Sequence, residues 1–214
     1  AYGGSGALFG DAFLVKFSAA GVRLWATYYG GTSNDTGYGV AIDLSGSVYL
    51  AGHTTSASGI AAGGFQNTNG GNYDAFVVKF NAASGIRLWA TYYGGAGLEV
   101  GNSITADPAG CGSIYLAGYT ESTSGISSGG FQNTYGGGLQ DAFLVRFDAA
   151  SGVRLWATYY GGTALDQGYS VAADSFGNVY IAGAAESTTS IASGGIQNIF
   201  GGGNYDAYVV KFSS

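Results

Sequence analysis

The sequence has one cysteine, one histidine, one proline and no methionine, and each scarcity removes a class of protein. With Cys111 alone, no disulfide can form within the chain and no cysteine-rich metal centre can be built. One proline among 41 glycines, with no period of three, excludes a collagen-like triple helix. Charge is scarce as well: seven basic and 13 acidic residues make up 9% of the chain, against about 25% in an average soluble domain. The net charge of −6 and the pI near 4.4 leave no basic footprint for nucleic acid or for an anionic membrane surface. No run of 18 apolar residues exists to insert as a membrane-spanning helix, and the opening AYGGSGALFG lacks the basic-then-apolar order of a signal peptide. The lack of methionine reads as a processed product or a piece of a longer polypeptide.

What is abundant is apolar and aromatic: 46% hydrophobic and 15% aromatic residues, enough for a sizeable core in 214 residues. These residues repeat. DAFLVKF from Asp11 returns as DAFVVKF from Asp74, DAFLVRF from Asp141 and DAYVVKF from Asp206, at spacings of 63, 67 and 65 residues. LWATYYGG recurs from Leu24, Leu88 and Leu155, and VYLAG returns at Val48, Ile114 and Val179, always in the same order. The extra length of the second period falls at Ser84, around Cys111 and in the glycines before Asp141, which are turn positions where insertions are tolerated.

Each period reads as four strands, A to D, rich in Val, Ile, Tyr, Phe, Trp and Thr and separated by Gly-containing turns. In the first copies they are expected near 38–43 (A), 47–52 (B), 11–17 (C) and 23–29 (D), with no helix longer than about two turns. Both faces of each strand carry apolar groups, as a sheet stacked on both sides requires. The chain then runs C-D, A-B-C-D, A-B-C-D, A-B-C, which is 13 strands. The expected fold class is all-β, with about three four-stranded antiparallel blades of propeller type. The boundaries are a partial blade at 1–37, blades at 38–100 and 101–167, and a partial blade at 168–214. Trp25, Trp89 and Trp156 fall at one position of strand D and are expected to be largely buried between blades.

The pattern GYGVAID, SVYLAG, DAFVVKF and LWATYYGG resembles the SBBP-type β-propeller repeats of bacteria and archaea, over nearly the whole chain. The resemblance implies the propeller fold and an extracellular or cell-surface setting. It implies no shared catalytic residues and no cofactor.

Most charged residues sit on repeat positions and read as scaffold. Asp11, Asp74, Asp141 and Asp206 open strand C, Asp43, Asp107 and Asp174 start the A-B turn, and all seven Lys and Arg recur in strands C and D. His53 has no partner at the spacing a metal site or a catalytic triad needs. The glycine pairs after strand D precede no helix and so form no phosphate loop. Asp35, Glu99 and Asp166 lie in the D-A connection, on the face that carries the long loops. There they are the candidate ring of carboxylates for a ligand or cation, against the plainer reading of solvated turn residues. Asn34-Asp35-Thr36 is an N-x-T sequon on that face, which makes Asn34 the candidate glycosylation position.

Three readings of function follow. The first is a non-catalytic structural or adhesive surface scaffold that joins head-to-tail, as a ring or a filament, to other copies or to adjoining repeats, with the surplus terminal strand C available for donation. Its contacts are expected between 1–30 and 168–214. The second is a lectin-like or protein-binding module whose long-loop face meets glycans or surface proteins; Tyr38 and Tyr169 fit it at equivalent positions, and Asn102 at the same place of the middle repeat does not. The third, a fragment of a propeller enzyme, needs a non-repeated cluster of catalytic groups, and none is legible.

Overall fold

The computed structural model describes residues 10–213, and among these there is no helix. Thirteen strands form four antiparallel sheets. Sheet I is β1 (Ala12–Phe17) with β2 (Arg23–Tyr29). Sheet II runs β3 (Asp35–Ile42), β4 (Ser47–Thr54), β5 (Asp74–Asn81) and β6 (Arg87–Tyr93). Sheet III runs β7 (Glu99–Ala106), β8 (Ser113–Thr120), β9 (Asp141–Asp148) and β10 (Arg154–Tyr160). Sheet IV is β11 (Asp166–Ala173), β12 (Val179–Ala185) and β13 (Asp206–Phe212). Every pairing joins neighbours in sequence, so each sheet is a meander, the architecture expected from the repeats.

Three cores fill the spaces between successive sheets. Leu14 and Tyr29 of sheet I pack with Leu50, Phe76 and Phe80 of sheet II. Tyr49, Val77 and Tyr93 of sheet II pack with Leu116, Phe143 and Phe147 of sheet III, and Leu144 and Tyr160 of sheet III with Ile181 and Tyr208 of sheet IV. The same aromatic triad closes each space. Tyr29 meets Phe76 and Phe80 at 5.4 and 5.7 Å, Tyr93 meets Phe143 and Phe147 at 5.3 and 5.6 Å, and Tyr160 meets Tyr208 and Phe212 at 5.4 and 5.8 Å. Apolar side chains on both faces of a strand therefore have different partners, one in each neighbouring sheet.

A second contact repeats at the opposite end of the strands. The Ala149 carbonyl, in the β9–β10 turn of sheet III, accepts from Lys79 Nζ (2.8 Å) and Trp89 Nε1 (3.2 Å) of sheet II. The Ala82 carbonyl accepts in the same way from Lys16 (2.8 Å) and Trp25 (3.0 Å) of sheet I. Burial of the three tryptophans differs from the uniform expectation: Trp89 is buried, whereas Trp25 and Trp156 are half-buried. Trp89 has both a tyrosine of its own sheet, Tyr49 at 6.0 Å, and the next sheet's turn. Trp25 lies in a sheet that has two strands among the described residues, neither of them a strand B that could supply that tyrosine. Trp156 has its tyrosine, Tyr115 at 6.3 Å, but the carbonyl equivalent to Ala149 belongs to Ser214, outside the described residues.

Two details differ from the sequence expectation. Strand A begins three residues early, at Asp35, Glu99 and Asp166, because these residues pair with Thr54, Thr120 and Ala185 of strand B. The long B-C connection does not stay on one face. It runs along the outer edge of strand D, with bridges Ala62 to Ala90 and Gln66 to Tyr92, and Ser128 to Ala157 and Gln132 to Tyr159. This covers part of the outer edge that a meander otherwise leaves open.

Candidate functional site

The three carboxylates expected on a solvent-facing loop are buried instead. Each opens strand A and turns back onto the YYGG turn that precedes it. Asp35 accepts from the Gly31 N–H (2.8 Å), the Ser56 hydroxyl (3.0 Å) and, through a short bond, the Thr54 hydroxyl. Glu99 accepts from the Gly95 N–H (2.8 Å) and the Thr120 hydroxyl (2.6 Å), and Asp166 from the Gly162 N–H and the Ser187 hydroxyl, both at 2.7 Å. Burial pushes the Asp35 and Glu99 carboxyls above their ordinary range, against these bonds, which pull the other way. Asp35, Glu99 and Asp166 are thus not a ligand-contacting ring. Their lone pairs are used within the blade, tying the D-A turn to the end of strand B. Among the described residues no three of His, Cys, Asp and Glu come together as a metal site.

The partners of these acids were the part that the sequence reading missed. Ser56, Ser122 and Ser187 stand in HTTS, YTES and AAES at one place of every repeat, so the recurrence was visible but its use was not. Replacing Thr120 by valine, which keeps shape and removes the hydroxyl, is expected to destabilise the chain by about 1–3 kcal/mol, since Glu99 stays buried with one donor fewer. Urea unfolding at neutral pH measures it.

The YYGG glycines have a spatial reason. A methyl group on Gly31 would lie 2.2 Å from the Ser58 carbonyl oxygen, and one on Gly95 or Gly162 would lie 2.6 Å from the carbonyl oxygen of Ser124 or Thr189. On Gly30, Gly94 and Gly161 it would press on carboxylate oxygens at 2.5, 2.5 and 2.4 Å. These are close-approach glycines at the seam between sheets, not phosphate-binding ones.

The remaining candidates are placed as follows. Asn34 is half-buried, with its backbone N–H donating to Thr55 Oγ1 at 3.0 Å. Cys111 is an exposed free thiol in the β7–β8 turn. His53, on β4, lies between Tyr38 and Tyr73, each ring 5.4 Å away, and burial holds its pKa below the ordinary value. It lines an open cavity of about 480 Å³ with Asp11, Phe13, Tyr38, Val40 and Tyr73, beside the edge of sheet I, which among the described residues has strands C and D alone. The basic residues hold the scaffold. Lys79 sits 3.8 Å from Asp43, Arg146 Nε donates to Ser113 (2.9 Å), and Arg87 and Arg154 reach the carbonyls of Ile60 and Ile126 (3.4 and 3.1 Å). Asp43 and Asp174 accept from their own turns, Ser47 N–H at 2.8 Å and Asn178 N–H at 2.9 Å, which helps hold both carboxyls below the usual range.

Equivalent residues differ sharply between the interior and the ends. Phe76 is 0% exposed and Phe13 67%; Val77 is 0% exposed and Val209 74%. Val40 is 55% exposed and its counterpart Ile104 6%. The buried member of each pair is covered by an adjoining sheet; of the exposed members, Phe13 and Val209 are on the first and last sheets, and Val40 of sheet II faces the cavity beside sheet I.

No curated protein matches the chain. A family model described as the SBBP β-propeller repeat matches residues 24–59 and 155–188, which in both cases begin in strand D and run through strands A and B. With the meandering four-stranded sheets, the constant strand order and the recurring contacts between sheets, the chain is a β-propeller repeat protein that carries SBBP repeats at two positions.

Proposed function

We propose that the chain is a non-catalytic structural or adhesive scaffold of the cell surface or extracellular space, whose first and last sheets join further repeats of the same kind. The observation that carries the reading is the pair Phe13 and Phe17 on β1. Their counterparts Phe76 and Phe80 form a socket with Tyr29 of the preceding sheet, and all three strand D tyrosines of this type already have their partners. A further strand D therefore has to come from an adjoining repeat or another copy.

The join has a definite geometry in this reading. The edge of β1 is a strand C edge awaiting a strand B, and β12 is a strand B that holds β13 in the register Val179↔Phe212 to Ala185↔Asp206. If β1 takes the place of β13 on another copy, Phe13 and Phe17 replace Tyr208 and Phe212 against Tyr160. Each copy then contributes three whole blades and two copies give a ring of about six, within the usual four to eight. β13 is left over for donation. Apolar burial of roughly 25 cal/mol per Å² drives such contacts, and an interface above about 1,000 Å² is expected.

Analytical ultracentrifugation of the 214-residue chain tests the reading. A dimer or larger assembly that Phe13→Asp dissociates is expected. A monodisperse 21.5 kDa monomer overturns association between copies and leaves adjoining repeats as the partner. A second reading, a binding module on the loop face, draws on Tyr38 and Tyr169, which are 53% and 50% exposed. Glycan-array binding lost in Tyr38→Ala would favour it.

A further inference from the structure

At each seam between successive sheets two carboxyl groups face one another across the first glycine of YYGG. A methyl group on Gly94 would lie 2.5 Å from Glu99 Oε2 and 2.6 Å from Asp74 Oδ1, and one on Gly161 would lie 2.4 Å from Asp141 Oδ1 and 3.1 Å from Asp166 Oδ2. Asp74 belongs to sheet II and Glu99 to sheet III; Asp141 belongs to sheet III and Asp166 to sheet IV. All four side chains are buried. Asp141 is 0% exposed, and its Oδ1 has no hydrogen-bond partner among the described residues, while Oδ2 accepts from the Gly136 N–H at 2.5 Å. An ionised oxygen in that position would be a buried charge with neither a donor nor a cation beside it.

The ionisable groups around the pairs are acidic or phenolic. Tyr92, on β6, lies near Asp74; Tyr159, on β10, lies near both Glu99 and Asp141. Tyr135 of the loop, Tyr160 on β10 and Tyr208 on β13 surround Asp141 and Asp166. No lysine or arginine is among the groups acting on Asp74, Glu99 or Asp141. A divalent cation is a poor occupant, because the carboxylates are lined by N–H and O–H donors: Gly70, Gly95, Gly136 and Gly162 all donate into them.

We propose that these seams are proton sites: Asp74 with Glu99, and Asp141 with Asp166, hold the adjoining sheets together as acid–carboxylate pairs, and loss of the proton weakens the contact between blades. The fold thus contains a pH-sensitive joint, repeated along the propeller and firmer in mildly acidic surroundings.

Desolvation is the main cause, with the facing carboxylate adding to it: Asp74 is pushed up to about 6 and Asp141 to about 7, from ordinary values near 3.9. Asp74 shifts less because Gln66 Nε2 and the Gly70 N–H serve its Oδ2 (2.9 and 2.8 Å). Because the folded values are raised, the folded state holds more protons than the unfolded chain. The associated stability is fully present below about pH 4 and is lost as pH rises through about 6 to 7. His53 titrates with the opposite sign, since its folded value is lowered, so the measurement is made in a His53→Gln background.

The test is thermal unfolding of the His53→Gln chain between about pH 5 and about pH 8, with and without Asp141→Asn and Asp74→Asn, beside infrared detection of the neutral carboxylic acid band. The unfolding equilibrium is expected to shift towards unfolding by up to about tenfold per pH unit for each proton lost. Asp141→Asn, which imitates the protonated form, should reduce that fall and remove part of an acid band that persists near pH 6 in the parent. If Asp141→Asn does not fold, Asp74→Asn and the band of the parent chain decide. A midpoint that is flat or rises with pH, an Asp141→Asn chain with the full fall, or recovery at about pH 8 on adding calcium alone would overturn the proton joint.

Discussion

Replacing Trp89 by alanine is expected to cost about 3–5 kcal/mol of unfolding free energy, the range for a large aromatic removed from a packed core. The indole is wedged between two sheets. A methyl group on Gly152 of sheet III would lie 2.7 Å from its six-membered ring, its own Tyr49 lies at 6.0 Å, and its Nε1 donates to the Ala149 carbonyl that also serves Lys79. The substitution leaves a cavity at the seam and removes one of the donors that dock the next turn. Trp25→Ala and Trp156→Ala should cost less, because both side chains are half-buried where Trp89 is buried. Equilibrium urea unfolding of the three variants gives the ranking. Equal losses at all three positions would contradict the contact arrangement between sheets II and III.

The second large effect is expected at Gly118, on β8. A methyl group there would lie 1.8 Å from the Val100 carbonyl oxygen and 3.0 Å from the Phe143 ring. Gly118 stands opposite the irregularity of strand A, where the register shifts between Gly101 and Ser103, and Gly52 and Gly183 hold the same place in sheets II and IV. The bulge turns the carbonyl of strand A into the space where a Cβ would sit. Relief would require moving backbone that is paired on β7 and packed on β9, so Gly118→Ala is expected to cost about 3 kcal/mol or more. Gly10→Ala, where nothing lies within 4 Å, serves as the control and should be near neutral. A Gly118→Ala chain with the parent's denaturation midpoint would show that the bulge is able to relax.

The propeller architecture was legible because its signals are local and repeated. The alternation of Val, Phe, Tyr and Trp in DAFVVKF and LWATYYGG, punctuated by Gly turns, dictates strands, and a constant order of four strands dictates a meander. The glycines of VYLAG and YYGG were visible as repeats, but the reason for them was not. A Gly52 or Gly94 is required by an atom from another strand or another sheet, at 1.8 Å from the Thr36 carbonyl oxygen or 2.5 Å from Glu99 Oε2, and no spacing along the chain encodes that approach.

The acids mark the same boundary more sharply. Sequence placed Asp35, Glu99 and Asp166 correctly at one position of every repeat and put them in a solvated loop, since a carboxylate beside Gly and Ser is ordinarily a turn residue. Packing decided otherwise. Strand A starts at these residues, a neighbouring turn and strand B supply the donors, and for Glu99 and Asp166 the preceding sheet's Asp74 or Asp141 closes over them. What the sequence by itself determined is the periodic pattern: four strands per repeat, the residues that recur, and the turns that absorb insertions. What only the tertiary structure decided is which recurring side chains meet across a seam, because burial and the proton affinity of a carboxyl depend on surroundings contributed by residues more than 20 positions away, as Thr120 and Asp74 are from Glu99.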